Sequence, residues 1–232
     1  MNRYELPTAL AKSAKAGAVA KAGGKPPPVE TPAEVDAVAL ARTMAAQASD
    51  LNALETMLAG FEHCELKRGA RNMLFGSGVA GASLMVISEA PNRNEDRAGM
   101  FFEGNTGVLF DKMIGAIGLT RTGDAPDVFL SHVMPWRPPQ DRDPKPAELA
   151  MIKPFIERQI TLVDPDVIVL LGNVACESLL GKRGITRMRG DWVEVLGKPT
   201  LPMFHPEHLM RNPIAKRDAW ADLLAIKSRL QK

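Results

Sequence analysis

Along this chain, short unbroken apolar runs alternate with longer stretches whose apolar residues recur every three or four positions. LMVIS (84–88), DVFLSHV (127–133) and DVIVLLG (166–172) are rich in branched residues and predict buried strands. DWVEVLG and TLPMF are two further short strand-like runs. Between them, VLFDKMIGAIG (108–118) predicts a helix closed by Gly118, and NVACESLLG one that ends at Gly181. PAELAMIKPFIERQITLV (146–163) has helical spacing, with Pro154 expected as an interior break or boundary. Upstream, TPAEVDAVALARTMAAQASDLNALETMLAGF predicts a Pro-assisted helix start and one continuing apolar face. AWADLLAIKSRL predicts an amphipathic closing helix. Strands alternating with helices predict an α/β fold: three layers, α/β/α, around a central, mainly parallel four-stranded sheet. No internal repeat is visible.

Composition sharpens the domain picture. At 232 residues and 45% apolar, the chain can bury one good core. Residues 1–33 are Ala/Gly/Lys/Pro-rich and poor in large apolar residues, and are expected to form a disordered tail ahead of a single domain at 34–232. That tail carries Arg3, Lys12, Lys15, Lys21 and Lys25 against Glu5 and Glu30, a net +3 out of a total of +2. The body is therefore slightly acidic, and any nucleic acid must be met by a local patch. No apolar run reaches the roughly 18–20 residues of a membrane span, and the N-terminus lacks a signal-like apolar core. Two distant cysteines, Cys64 and Cys176, make no disulfide framework and suggest reduced thiols in a cytoplasmic protein.

In parallel sheets, ligands sit at the carboxyl ends of the strands. Three polar loops leave such ends: SEAPNRNEDRAGMFFEGNTG, SHVMPWRPPQDRDP and HPEHLMRNP. The first has no phosphate-cradling glycine pattern, so no nucleotide cofactor is suggested. The last contains two histidines flanking a carboxylate, with a Pro that argues against an ordinary helix start. A metal needs further ligands, and neither H-E-x-x-H nor H-x-E with P-C-x-x-C is present. No metal is expected.

The three loops, in this order, resemble the family 4 uracil-DNA glycosylases over about residues 60–230. That family's first motif, Gly-Glu-Ala-Pro-Gly-x-x-Glu-Asp followed by Gly-x-Pro-Phe-x-Gly, stands here as SEAPNRNED and GMFFEG. Its middle motif, Asn-x-x-x-x-Arg-Pro-Pro-x-x-Arg-x-Pro, stands as HVMPWRPPQDRDP, and its last, His-Pro-x-x-Leu-x-Arg, as HPEHLMR. The departures are specific. The family's cluster is held by four cysteines, of which this chain keeps Cys64, with Phe61 and Ile152 at two of the other positions and Cys176 on a different helix. One thiolate cannot hold an iron–sulfur cluster, so apolar packing is expected in its place, with no cofactor. The family's uracil-reading asparagine is His132, and the first motif's glycines are Ser88 and Asn92.

The resemblance implies a monofunctional uracil-DNA glycosylase that turns the base out of the stack, leaves an abasic site and needs no lysine nucleophile. It assigns His205 to donate a hydrogen bond to the leaving base and Glu89 to orient water or favour a cationic sugar, or else to brace its loop. Glu95 and Asp96 are expected to bond backbone amides. Ala90, Pro91, Asn92, Phe102 and His132 would line the base pocket, with Phe101 as the alternative stacking ring and Asn92 equally suited to a turn. His208, Leu209, Met210 and Arg211 would enter DNA as wedge and phosphate grip. Arg137, Arg142, Lys216 and Arg217 are further phosphate candidates, as is the cluster Lys182, Arg183, Arg187 and Arg189. The implied partner is uracil-containing DNA, single- or double-stranded, met by a monomer at the nucleoid if the source is bacterial. The rivals are a binder of uracil or abasic DNA that has lost turnover, and a metal-dependent phosphoesterase.

Overall fold

The computed structural model describes residues 36–231, so the expected tail lies outside the described residues. The helices are α1 (Ala37–Gln47), α2 (Leu51–Ala59), α3 (Leu66–Gly69), α4 (Arg93–Ala98), α5 (Asn105–Ala116), α6 (Pro146–Val163), α7 (Asn173–Leu180), α8 (Ile185–Met188), α9 (Pro206–Arg211) and α10 (Lys216–Leu230). The strands are β1 (Leu84–Ser88), β2 (Val128–His132), β3 (Val167–Leu171), β4 (Val193–Val195) and β5 (Lys198–Met203).

Two helices differ from expectation for local reasons. The helical stretch expected from Thr31 holds α1 and α2, separated where Ala48 turns extended, and its Pro-assisted start lies outside the described residues. Asp50 then caps the second helix through the Ala53 amide, and Asp36 caps the first through Val38 and Ala39. Aspartate competes for helix amides in this way and sets a start. α6, by contrast, runs through Pro154 unbroken. An interior Pro forfeits a backbone bond at roughly 3 kcal/mol. The buried face of Leu149, Ile152, Phe155, Ile156, Ile160 and Val163 offsets that cost against α1 and α2.

The sheet has five strands rather than four, in the order β2-β1-β3-β5-β4, flanked by helices. β1, β2, β3 and β5 are parallel, and β4 joins β5 as an antiparallel edge. Leu196 and Gly197, both at positive φ, make the two-residue turn between them. That turn lacks the usual Asn-Gly signature, and β4 has only three residues, mostly exposed. The outer edge of β2 is shielded where Ser77 bridges Leu130. β1, β2 and β3 are buried throughout, as strands covered on both faces should be.

Register aligns the carboxyl ends. Ser88 pairs with His132, and Leu171 with Met203. The loops beginning at Glu89, Val133, Gly172 and Phe204 therefore leave the sheet side by side.

One proposed phosphate contact is committed to the fold instead. Arg189 donates two hydrogen bonds to Asp222, which is 1% exposed, and a third to the Asp218 carbonyl at 3.0 Å. Replacing one member of such a pair leaves the other charge buried alone. Arg189→Met is expected to lower unfolding free energy by about 3 kcal/mol, read as a lower urea midpoint at unchanged slope.

Candidate functional site

Glu89 begins the loop after β1, and its side chain turns toward the start of α7. Its Oε1 accepts the Val174 amide at 2.9 Å. Burial pushes its carboxyl above the ordinary range, the Val174 and Asn173 amides pull it back, and Asp143 and Arg183 oppose each other. Gly172, at φ +90°, makes this seat possible: a Cβ there would stand 2.4 Å from Glu89 Oε1. Sequence reasoning missed Gly172, whose only signal is its place between an apolar strand and a helix.

The loop that follows is closed by Glu95. Asn92 caps α4, accepting from the Asn94 and Glu95 amides, while Glu95 accepts the Asn92 amide in return at 2.9 Å. The carboxamide oxygen of Asn92 is thus spent on the turn. The other Glu95 oxygen accepts the Phe102 amide at 2.6 Å. Burial raises the Glu95 carboxyl against those two amides. Asp96 binds the loop to residues 71–72 through the Arg71 and Asn72 amides.

Both phenylalanines of the loop are buried. Phe101 stacks on His132 with centroids 4.6 Å apart, and Phe102 stacks on Phe110 at 4.4 Å and tilts toward His205 at 5.8 Å. Phe102 sits at φ +52°, which a bulky residue rarely adopts. Gly107 allows this, since a Cβ there would lie 1.8 Å from the Phe102 carbonyl oxygen. Arg121, held by Asp111, donates to the Phe101 carbonyl at 2.9 Å. Gly107 and Arg121 were also missed: Gly107 closes the first loop but matters for the Cβ it lacks, and Arg121 lies outside the three loops and acts on a backbone carbonyl.

His132 ends β2 with 1% exposure and no hydrogen-bond partner on either ring nitrogen among the described residues. Its Nε2 is 4.0 Å from Glu95 Oε1. Burial, with a smaller effect from nearby His205, depresses its pKa to about 3, so the ring is neutral.

HPEHLMR is a helix start after all. His205 is the N-cap of α9 and Pro206 its first residue, the position where Pro costs no bond. The Glu207 amide donates to His205 Nδ1 at 3.2 Å. The neutral ring therefore carries its proton on Nε2. Burial and the Arg211 charge lower the His205 pKa to about 4.

The expected wedge divides. Leu209 is 1% exposed and lines an apolar cleft with Leu109, Met113, Trp220 and Leu223, so its side chain packs into the protein rather than projecting outward as a wedge would. Its place in the helix turns it inward. Met210, 41% exposed, is the outward apolar residue. His208 stacks on Phe204 at 4.7 Å. Arg211 and Lys216 are exposed. Arg137 and Arg142 are paired internally, with Asp141 at 2.6 Å and Glu148 at 2.7 Å, as is Arg183 with Glu177 and Asp143. Ala90 and Pro91 follow Glu89 in the same loop, Pro91 buried.

The iron–sulfur cluster of family 4 does not fit these residues. Phe61 and Ile152 are fully buried apolar side chains, and Phe61 packs edge-on against Phe155 at 5.5 Å. Cys64 is buried beside them in the same core, where desolvation raises its thiol and disfavours a thiolate ligand. Cys176 lies on α7, pushed up to about 12 by burial and the Glu89 charge. Among the described residues, no group of three His, Cys, Asp or Glu is placed to hold a metal.

Residues 75–224 match the family model described as the uracil DNA glycosylase superfamily. The chain is 36% identical to a type-4 uracil-DNA glycosylase of Thermotoga maritima over 152 residues, covering 64% of this chain and 77% of that protein. It is 33% identical to the type-4 enzyme of Sulfurisphaera tokodaii (71% and 77% covered) and 32% identical to that of Archaeoglobus fulgidus (70% and 84%). Among the described residues, no helix is long and apolar enough to cross a membrane.

The neutral His132 has a consequence for acid stability. Its folded pKa of about 3 lies below the ordinary 6.5, so the unfolded chain binds the extra proton, and this contribution is lost as pH falls below 6.5. At pH 5 the loss is about 2 kcal/mol. The raised carboxylates Glu89 and Glu95 act in the opposite direction. Comparing urea unfolding of wild type and His132→Asn at pH 7 and pH 5 isolates the histidine. Wild type is expected to lose about 2 kcal/mol more than the variant on acidification.

Proposed function

This chain belongs to the uracil DNA glycosylase superfamily, and we propose that it is a monofunctional uracil-DNA glycosylase of base excision repair. The observation that carries this reading is the state of His205: Nδ1 occupied by a backbone amide, Nε2–H left to donate, and a ring neutral down to about pH 4.

Hydrolysis breaks the bond between sugar C1′ and the base nitrogen N1. The electron pair leaves with the base and spreads onto its O2, while the sugar becomes cationic. A donor aimed at O2 stabilises the leaving anion without giving up its proton, and His205 Nε2–H has that character. Glu89 supplies the complementary negative charge. One of its oxygens is held by Val174, which fixes the carboxylate, and the other is left to orient the attacking water toward C1′. Water adds to C1′ and its proton passes to Glu89 and on to the departed base anion, so atoms and charge balance without a lysine adduct. Phe102 and His132 bound the base, and Met210, Arg211 and Lys216 face the DNA. The enzyme acts as a monomer on single- or double-stranded DNA in the cytoplasm.

The test is a single-turnover assay on a fluorescent oligonucleotide with one uracil, in EDTA, resolved with and without alkali. Strand cleavage only after alkali supports the reading, with His205→Ala slower by ~10²–10³. Chelator-sensitive cleavage without alkali would indicate a phosphoesterase, and retained DNA binding with no abasic product a binder.

The pH profile tests the division of labour. Glu89 acts as a carboxylate and its pKa is raised, so the rate is expected to fall on acidification at a pH above that of an ordinary glutamate. The low pKa of His205 adds no titration above about pH 4. Glu89→Gln should be slow and flat across the same range, and an acid limb that survives in it would assign that limb elsewhere.

A further inference from the structure

Ser88 and His132 are register partners at the ends of β1 and β2, so their side chains leave the same face of the sheet. Each is 1% exposed. Ser88 Oγ and both ring nitrogens of His132 are buried without a hydrogen-bond partner among the described residues. A buried polar atom left unpaired costs stability, and natural folds keep few of them. Three such atoms on two facing residues, at the edge of the sheet where ligands bind, make a polar surface that lacks its counterpart.

The chemistry of the two side chains says what that counterpart is. The edge of uracil presents a donor, N3–H, beside an acceptor, O4. An amide side chain meets both at once, because it carries a donor and an acceptor on one fork. An imidazole presents one nitrogen toward a given edge and can satisfy only one of the two. The neighbouring hydroxyl both donates and accepts, and rotates to suit. We propose that Ser88 is a base-specificity residue of this enzyme, and that Ser88 and His132 together read the N3–H/O4 edge of the flipped base. This rests on the glycosylase reading above and extends it to a residue outside the site assigned so far.

The proposal gives opposite signs for folding and binding. If Ser88 waits for substrate, Ser88→Ala removes an unpaired polar atom from the empty protein and leaves its thermal midpoint unchanged or higher. The same change weakens recognition of the base. If Ser88 is instead structural, the variant melts lower and recognition is intact.

The experiment uses the full-length protein and oligonucleotides carrying an uncleavable 2′-fluoroarabino nucleotide. Its base is either uracil or 2-pyrimidinone, which lacks both N3–H and the 4-oxygen. Dissociation constants are measured for wild type, Ser88→Ala and, as a control, Ser178→Ala, which removes the other orphaned buried serine from α7. Ser88→Ala is expected to weaken binding of the uracil oligonucleotide roughly three- to tenfold and to leave that of 2-pyrimidinone within about twofold, with Ser178→Ala matching wild type on both. An unchanged preference for uracil in Ser88→Ala overturns the proposal, as does an equal loss on both oligonucleotides. Excision of ordinary uracil by wild type, run alongside, separates this failure from failure of the glycosylase reading. A wild type that excises uracil while Ser88→Ala binds normally sinks only the role of Ser88.

Discussion

The two oxygens of Glu95 hold the backbone amides at either end of the 92–102 loop, Asn92 at 2.9 Å and Phe102 at 2.6 Å. That double anchorage shapes the surroundings of the base pocket. It ends the loop after β1 in a short capped helix and fixes Phe102 in a backbone conformation it would not choose alone. It also sets the neighbouring Phe101 against His132. A buried carboxylate is costly unless its charge is met by hydrogen bonds. Here both oxygens are met by amides whose positions matter, so the cost of burial is turned into geometry.

The polar groups of the site are grouped at one edge of an otherwise apolar sheet. β1, β2 and β3 are buried from end to end, and their last residues or the first residues beyond them carry Ser88, Glu89, His132 and Gly172. Desolvation acts on Glu89, His132 and His205 in the direction their chemistry allows: both histidines are held neutral, and the glutamate's pKa is raised. Farther along, positions that hold cluster ligands in family 4 are filled by Phe61 and Ile152 in the core shared by α1, α2 and α6. Packing area there supports what metal–thiolate bonds support in the resembled family.

Much of this was legible in the chain. The three apolar strands, the helices between them and the loops that carry the site follow from hydrophobic period and from motifs. What escaped notice acts through backbone. Gly172 and Gly107 matter for the Cβ they lack, and nothing in the spelling of the sequence marks the atom that would collide. The fifth strand of the sheet is less legible, because β4 is an edge of three residues held by a Leu-Gly turn and carries little apolar signal. Leu209 was placed in the DNA by motif order, although its position on α9 turns it inward. The cations were the least legible: Arg137, Arg142, Arg183 and Arg189 read as a basic face, yet each has an acidic partner.

The anchoring of Leu209 reaches beyond packing. α9 is pinned from below by that side chain and from its start by the Pro206 turn, with Met210 and Arg211 carried on its outer side. An element so fixed has little conformational entropy left to lose when a duplex arrives. On the reading proposed here, the adjustment passes to the partner: the nucleic acid supplies the bending and unstacking, and the protein serves as a rigid die against which the strand is shaped. Sites already softened by a mismatch or a missing partner base yield to such a die first, so the stiffness of one short helix biases where along DNA the enzyme engages.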